Sequence, residues 1–313
     1  MDNSISENIS ISKELENCSI CPRNCHVNRF ANNKGYCKSG IKFGIASVCK
    51  HYGEEPIVSG KNGICNVFFT KCNLQCIYCQ NYQISRNSCD FFEKKYSLEE
   101  VLNLIIPFLD SECHALGFVS PSHYALHVKV IVNALNQRGY KPVIVYNTNS
   151  FDKVETLQLL ENVVDVYLAD FKYSDATLAE KLSDAHAYPY IALKAIKEMY
   201  RQKGNVLHLN DNGEILSGLI IRHLVLPGFI DNSKNILKII SEEISTNITI
   251  SLMSQYTPIN QSNDFISLNR KLLQHEYDEV VETMENLGFY KGWVQALESS
   301  EHYMPDFNSI KPF

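Results

Sequence analysis

The sequence predicts an α/β fold built on a parallel sheet, preceded by a small cysteine-rich, metal-binding segment. Three observations carry that prediction. From residue 64 onward short β-rich runs alternate with stretches that read as helices, and such alternation implies parallel strands joined by right-handed crossovers. The runs are nearly continuous in apolar residues, as strands covered on both faces should be. All 11 cysteines lie between Cys18 and Cys113, and the rest of the chain has none.

Residues 1–16 are polar and rich in Ser and Asn, and are expected to fray. Residues 17–63 are punctuated by Gly and Cys with little periodicity. A segment this short cannot build a conventional core and needs a metal to hold it. Residues 64–290 carry the regular pattern, and 291–313 form a C-terminal tail with aromatic residues at Trp293, Tyr303 and Phe307. Strands are predicted at 65–70, 116–120, 143–147, 166–171, 219–226 and 248–253. Helices are predicted at 97–109, 122–138, 152–161, 175–183, 189–203, 233–244 and 272–287. Ser97 with Glu100 reads as a capping box, and Asp152 and Asp175 read as N-caps. Residues 208–214 read as a hairpin turn before the fifth strand. Six such units make either an incomplete barrel or an open doubly wound sheet.

The 313 residues are 45% hydrophobic and 20% charged, an ordinary globular composition. With 29 Lys and Arg against 35 Asp and Glu the net charge is −6. That balance, without a basic cluster, counts against nucleic acid as a partner. No apolar run reaches membrane-spanning length, and residues 1–16 lack the apolar stretch of a secretory signal. A cytoplasmic location with no membrane partner is therefore expected. In a reducing compartment clustered cysteines point to metal or redox chemistry in place of disulfides. Neither G-x-G-x-x-G nor H-E-x-x-H occurs, and residues 53–61 have the wrong spacing for a phosphate-binding loop.

The sharpest motif is Cys72, Cys76 and Cys79, a C-x3-C-x2-C spacing that directly follows a predicted strand and precedes a helix. Parallel α/β folds place their chemistry at such strand ends. Thiolates at this spacing can wrap one corner of an iron–sulfur cluster. Three ligands leave one iron open, as in sites that bind substrate. The plainer readings are a zinc knuckle short of a ligand, or buried cysteines serving as small apolar residues. A second set, Cys18, Cys21, Cys25 and Cys37, has four ligands with Gly35 and Gly40 nearby, which suits a closed site for zinc or an iron–sulfur cluster. His51, Glu54 and Glu55 are expected to tie this segment to the sheet. Cys49, Cys65, Cys89 and Cys113 show no ligand spacing and read as packing residues.

With these blocks in order, the chain resembles the radical S-adenosylmethionine (SAM) superfamily between Cys18 and about Gly288. In particular it is similar to pyruvate formate-lyase-activating-enzyme-like proteins that carry extra N-terminal cysteines. The resemblance continues through Val119–Tyr124, Tyr146–Asn149, Tyr167–Tyr173, Arg222–Gly228 and Met253–Pro258. It implies a partial (β/α)6 TIM-like barrel with a [4Fe–4S] cluster on Cys72, Cys76 and Cys79 at the barrel mouth. It also implies SAM on the open iron, cleaved by one electron to methionine and a 5′-deoxyadenosyl radical that abstracts a hydrogen atom.

Tyr78 and Asn81 belong to the cluster loop. Ser120, Ser122 and His123 stand where relatives carry a Gly-Gly-Glu-type segment that contacts SAM. Asn147 and Asn149 would bond its ribose or carboxylate, and Asp170 and Lys172 would lie against it. Arg222 and His223 fall early in the fifth predicted strand, and Gln255 and Tyr256 end the sixth; Arg222, like Tyr78 and Asn81, is expected to contact the cofactor. The implied partners are a reductant such as flavodoxin or ferredoxin and a glycyl-radical enzyme as protein substrate. Modification of a peptide or small molecule is an alternative. A non-catalytic iron–sulfur electron-transfer protein is another.

Overall fold

The computed structural model describes residues 13–31, 34–88, 94–259, 261–297, 304–309 and 312–313; Cys89 and Tyr303 lie outside them. Its strands are β1 (Phe43–His51), β2 (Ile64–Phe69), β3 (Lys95–Tyr96), β4 (Ala115–Val119), β5 (Val143–Thr148), β6 (Val166–Asp170), β7 (His208–Leu209), β8 (Ile215–Leu224), β9 (Thr249–Met253) and β10 (Gly292–Val294). Among the described residues these form a 10-stranded sheet in the order β10-β9-β8-β6-β5-β4-β2-β1-β3, with β7 paired to β8. The run from β2 through β4, β5, β6 and β8 to β9 is parallel throughout. These are the six expected strands in the expected order.

The connecting helices are Leu98–Asp110, Ala125–Gln137, Val154–Gln158, Ala176–Ser183, Tyr188–Lys203 and Ile230–Glu243, with Gln274–Asn286 before β10. Ser97 and Glu100 form the capping box, the Ser97 hydroxyl accepting from the Glu100 N–H at 3.3 Å. Asp175 caps its helix through the Leu178 N–H at 2.7 Å. Residues 208–214 close an antiparallel hairpin between β7 and β8.

Asp152 corrects an expectation. Lys153 stands at the N-cap of the short helix Val154–Gln158, and Asp152 is buried, accepting from the hydroxyls of Tyr146 and Thr148. Two strands fall outside the expected set. β1 runs antiparallel to β2, and β10 adds to β9 in parallel.

The sheet curls into a partial barrel. Inward side chains from successive strands, among them Ile64, Ala115, Val145, Val166, Leu168 and Ile220, form one apolar cluster, against which Trp293 of β10 packs. A flat sheet would hold β2 and β10 far apart; here residues of both reach the same interior. The curl does not close, because no described strand bridges β10 and β1. The alternate residues, including Val67, Leu116, Phe118, Tyr146 and Ile221, pack outward against the helices. The short helix Pro56–Ser59 drives the fully buried Val58 into the inner cluster, and so stops the barrel at the end where its strands begin. Burying one such side chain contributes about 2 kcal/mol.

Candidate functional site: a three-cysteine loop and a polar cavity

β2 ends at Phe69, and Lys71 turns the chain with φ 68°, a left-handed conformation that breaks the strand. The cysteine loop follows and is pinned at two points: the Gln75 and Ile77 N–H groups donate to the carbonyls of Ser183 and Leu182 at 3.2 and 2.9 Å. Each motif sulfur meets a donor. Cys72 Sγ accepts from the Leu74 N–H at 3.3 Å and from Asn149 Nδ2 at 3.5 Å. Cys76 Sγ accepts from Ser183 Oγ at 2.9 Å, and Cys79 Sγ from Ser85 Oγ at 3.2 Å. The donors come from the loop itself, the end of β5, the end of the helix after β6, and the helix Tyr82–Ser85. Four separate pieces of chain thus converge on three sulfurs.

Burial pushes the Cys72 thiol up to about 12 and Cys76 up to about 11. Any metal that takes these sulfurs must therefore displace protons. Lys172, just past β6, donates to Asp170 Oδ2. Burial opposes its charge, but Asp170 and then Cys76 outweigh that and raise its pKa. Among the described residues no three His, Cys, Asp or Glu side chains converge tightly enough for a single metal ion. A four-iron cluster spaces its thiolates more widely than one ion does. Three soft thiol donors, each with a hydrogen-bond donor at its sulfur, suit such a cluster.

A cavity of about 310 Å³ is lined by Gln80 and Asn81, which follow Cys79, and by Asn147, Arg222, Ser251 and Gln255 among others; none of the three cysteines lines it. Arg222 lies near the C-terminal end of β8, paired in register with Asp170, and not early in the strand as the sequence implied. Its guanidinium is engaged by two carboxylates. Nε donates to Glu55 Oε1 at 2.8 Å, and Nη2 to Glu54 Oε2 at 2.6 Å and to Glu55 Oε2. The other Glu54 oxygen accepts from Asn66 Nδ2 at 2.9 Å. Burial opposes the Glu54 charge, yet Arg222 holds its pKa down to about 2. Glu54 and Glu55 immediately precede the helix Pro56–Ser59, so the stretch after β1 is tied to β8, as expected of these residues.

Other expected site residues turn elsewhere. Ser122 and His123 are fully buried. Ser122 Oγ lies 3.4 Å from Thr148 Oγ1, and His123 Nε2 faces the Thr70 carbonyl at 2.9 Å. Burial pushes His123 down to about 3, so it is neutral and donates from Nε2. Neither lines the cavity. Ser120, at φ 51°, donates its N–H to the Asn147 carbonyl at 2.9 Å. Tyr78 is buried with its hydroxyl 2.6 Å from that of Tyr173. Asn149 serves Cys72 and Asn73, bonding Asn73 Oδ1 at 2.9 Å.

No family model matches this sequence. An uncharacterised protein of Methanocaldococcus jannaschii is 29% identical over 286 residues, spanning 88% of this chain and 77% of that one. Among solved structures, a domain of pyruvate-formate lyase-activating enzyme from Bacteroides vulgatus aligns over 55% of this chain and 93% of its own, at 15% identity and a TM-score of 0.39. Streptococcus suis SuiB bound to S-adenosylmethionine aligns over 74% of this chain at 11% identity and a TM-score of 0.49. This chain spans 50% of SuiB. The fold described above rests on its own strand order and register.

One lining residue, Gln295, carried no signal in the sequence. Gln80, Gln255 and Gln295 form a clasp over the cavity: Gln80 Nε2 donates to the Gln255 carbonyl at 2.7 Å, and Gln295 Nε2 to Gln255 Oε1 at 2.9 Å. Gln255 is visible as a polar residue at a strand end. Gln295 follows a three-residue strand that no periodicity announces. Cys65 and Cys113 are buried and Cys49 half-buried.

Proposed function

We propose that this chain is a cytoplasmic radical SAM enzyme, with Cys72, Cys76 and Cys79 as the ligands of its [4Fe–4S] cluster. The observation that carries the reading is the convergence of N–H and O–H donors on all three sulfurs of one strand-end loop, whose next residues, Gln80 and Asn81, line a polar cavity. Plain packing cysteines would not call for a donor each. When bound, the cluster and SAM supply a 5′-deoxyadenosyl radical through one-electron cleavage of the sulfonium.

The chain's own residues do the rest. Ser183, Ser85 and Asn149 hold the sulfurs and lower their basicity. Lys172, steadied by Asp170, offers a cation to the methionyl carboxylate. The Asn81 and Asn147 amides face the cavity, where a ribose or carboxylate would need partners. The glutamine clasp and the aromatic tail keep water from the reacting centre. The reductant would be a flavodoxin or ferredoxin.

For the substrate we propose a C–H group on a protein or peptide, with a glycyl-radical enzyme as the first partner to test. The open side of the barrel supports this reading, since a polypeptide loop can reach an open barrel more readily than a closed one. After anaerobic reconstitution and reduction, the wild-type protein should convert SAM to 5′-deoxyadenosine, and replacing all three cysteines with Ala should abolish that. A reconstituted, reduced protein that leaves SAM intact would instead be an electron carrier.

A further inference from the structure

A buried guanidinium needs a counter-charge, and among the described residues Arg29 has no carboxylate paired with it. Arg29 is 1% exposed. Its Nε donates to Cys18 Sγ at 3.2 Å, its Nη2 reaches Cys37 Sγ at 3.6 Å, and its Nη1 donates to the His123 carbonyl at 2.8 Å. Enclosing that cation among neutral thiols would be strongly unfavourable. A metal centre that took both of these sulfurs as thiolates would supply the missing counter-charge.

The other two cysteines lie on the same segment, although among the described residues the four do not converge tightly enough for a single ion. Cys21 is an electrostatic neighbour of both Cys37 and Cys18. Cys25 Sγ accepts the Tyr36 N–H at 3.2 Å, beside Gly35, where an added Cβ would come within 2.8 Å of that sulfur. The glycine keeps the sulfur's surroundings open.

We propose that Cys18, Cys21, Cys25 and Cys37 hold a second iron–sulfur cluster, which exchanges one electron with the barrel site. Zinc would only brace the segment, whereas the contacts here lead directly to Cys72. Tyr36, whose N–H meets Cys25, has its carbonyl bonded by Asn87 Nδ2 at 3.0 Å. The same amide donates to the Cys72 carbonyl at 3.0 Å, and its oxygen accepts the Cys72 N–H at 3.2 Å. Arg23 lies 3.7 Å over the Tyr36 ring and donates to the Asn73 carbonyl at 2.9 Å. A short chain of covalent and hydrogen bonds thus joins the Cys25 sulfur to the backbone of Cys72.

A low-potential one-electron carrier reduces the second cluster by one electron. That electron passes to the barrel cluster and the second cluster returns to its oxidised state, with no bond or proton changing hands. Arg29 favours the more negative, reduced form and so raises the potential of its cluster. The electron path rests on the reading of Cys72, Cys76 and Cys79 as cluster ligands; the second cluster itself does not.

The test uses the full chain with Cys72, Cys76 and Cys79 all replaced by Ala, reconstituted anaerobically with iron and sulfide. It should keep iron and acid-labile sulfide and give an electron paramagnetic resonance signal after dithionite reduction. Loss of all iron from this variant while the wild type binds it, or stoichiometric zinc in its place, would overturn the proposal. A Cys21→Ala/Cys37→Ala variant should keep the barrel signal and its response to added SAM. Loss of that response alone would count against the barrel reading and leave the second cluster standing. Arg29→Gln, checked for folding by circular dichroism, should shift the second cluster to lower potential, with Arg29→Lys restoring most of the shift. An unchanged potential would overturn the role given to Arg29. Reducing both clusters in the wild type should broaden both signals, and two unperturbed signals would overturn the electron path.

Discussion

Arg222 decides the charge of the cavity, because two buried carboxylates depend on it. In Arg222→Met, Glu54 and Glu55 would be left buried without a cation, at a cost of about 3–5 kcal/mol in urea unfolding. The pH dependence should also change sign. In the native protein Glu54 is held from its ordinary 4.5 down to about 2. Its contribution, about 3 kcal/mol, is present above pH 4.5 and lost as pH falls toward 2. Without Arg222, burial would raise that pKa, so the variant should lose stability as pH rises through the neutral range. Unfolding curves between pH 4 and 7 check this, and a variant with the native slope would refute it. Nothing in the sequence could have announced the pairing, because Arg222 and Glu55 stand 167 positions apart. The cysteines were legible for the opposite reason: their spacing is local, and a local spacing is the whole of the signal.

Strands with a buried interior were equally legible. β2 and β4 are buried at every position, and such apolar runs declare themselves. β1 was not, since most of its positions are only partly covered and residues such as Ser47, Cys49 and Lys50 break both the apolar run and a clean alternation. β4 also carries the least obvious requirement of the sheet. A Cβ at Gly117 would come 2.0 Å from Asn66 Oδ1, so the missing side chain on β4 makes room for the amide that β2 sends to Glu54. Gly117→Ala should cost about 1–3 kcal/mol by crowding that amide. Combined with Asn66→Ala the loss should be clearly less than additive. Full additivity in the double-mutant cycle would show that the two positions do not interact.

The open side gives the whole molecule its most exposed weakness, and the tail meets it. Phe307 is buried against Phe68, with ring centroids 5.3 Å apart, and Phe313 lies 4.3 Å from the His51 ring and lines the cavity. The Phe307 N–H is bonded by Gln83 Oε1 at 2.8 Å, which ties the tail to the short helix after the cysteine loop. Trp293, the single tryptophan of the chain, lines the same cavity. Phe307→Ala should therefore let acrylamide quench tryptophan fluorescence more strongly than in the wild type. Equal quenching would mean that the tail gives no cover. That this tail returns to the first strands was beyond the reach of pattern, since its aromatic residues follow no period.

The clasp of Gln80, Gln255 and Gln295 is made of neutral amides, each bond contributing on the order of 1 kcal/mol. Dissolved salt screens charges that face water and leaves bonds between uncharged groups nearly untouched. Docking of a charged electron carrier on a chain of net charge −6 would shift with ionic strength, in the sense set by the sign of the carrier's charge, while the amide bonds beside the cavity would hold as before. Salt thus acts on the delivery of electrons without acting on the shelter of the radical.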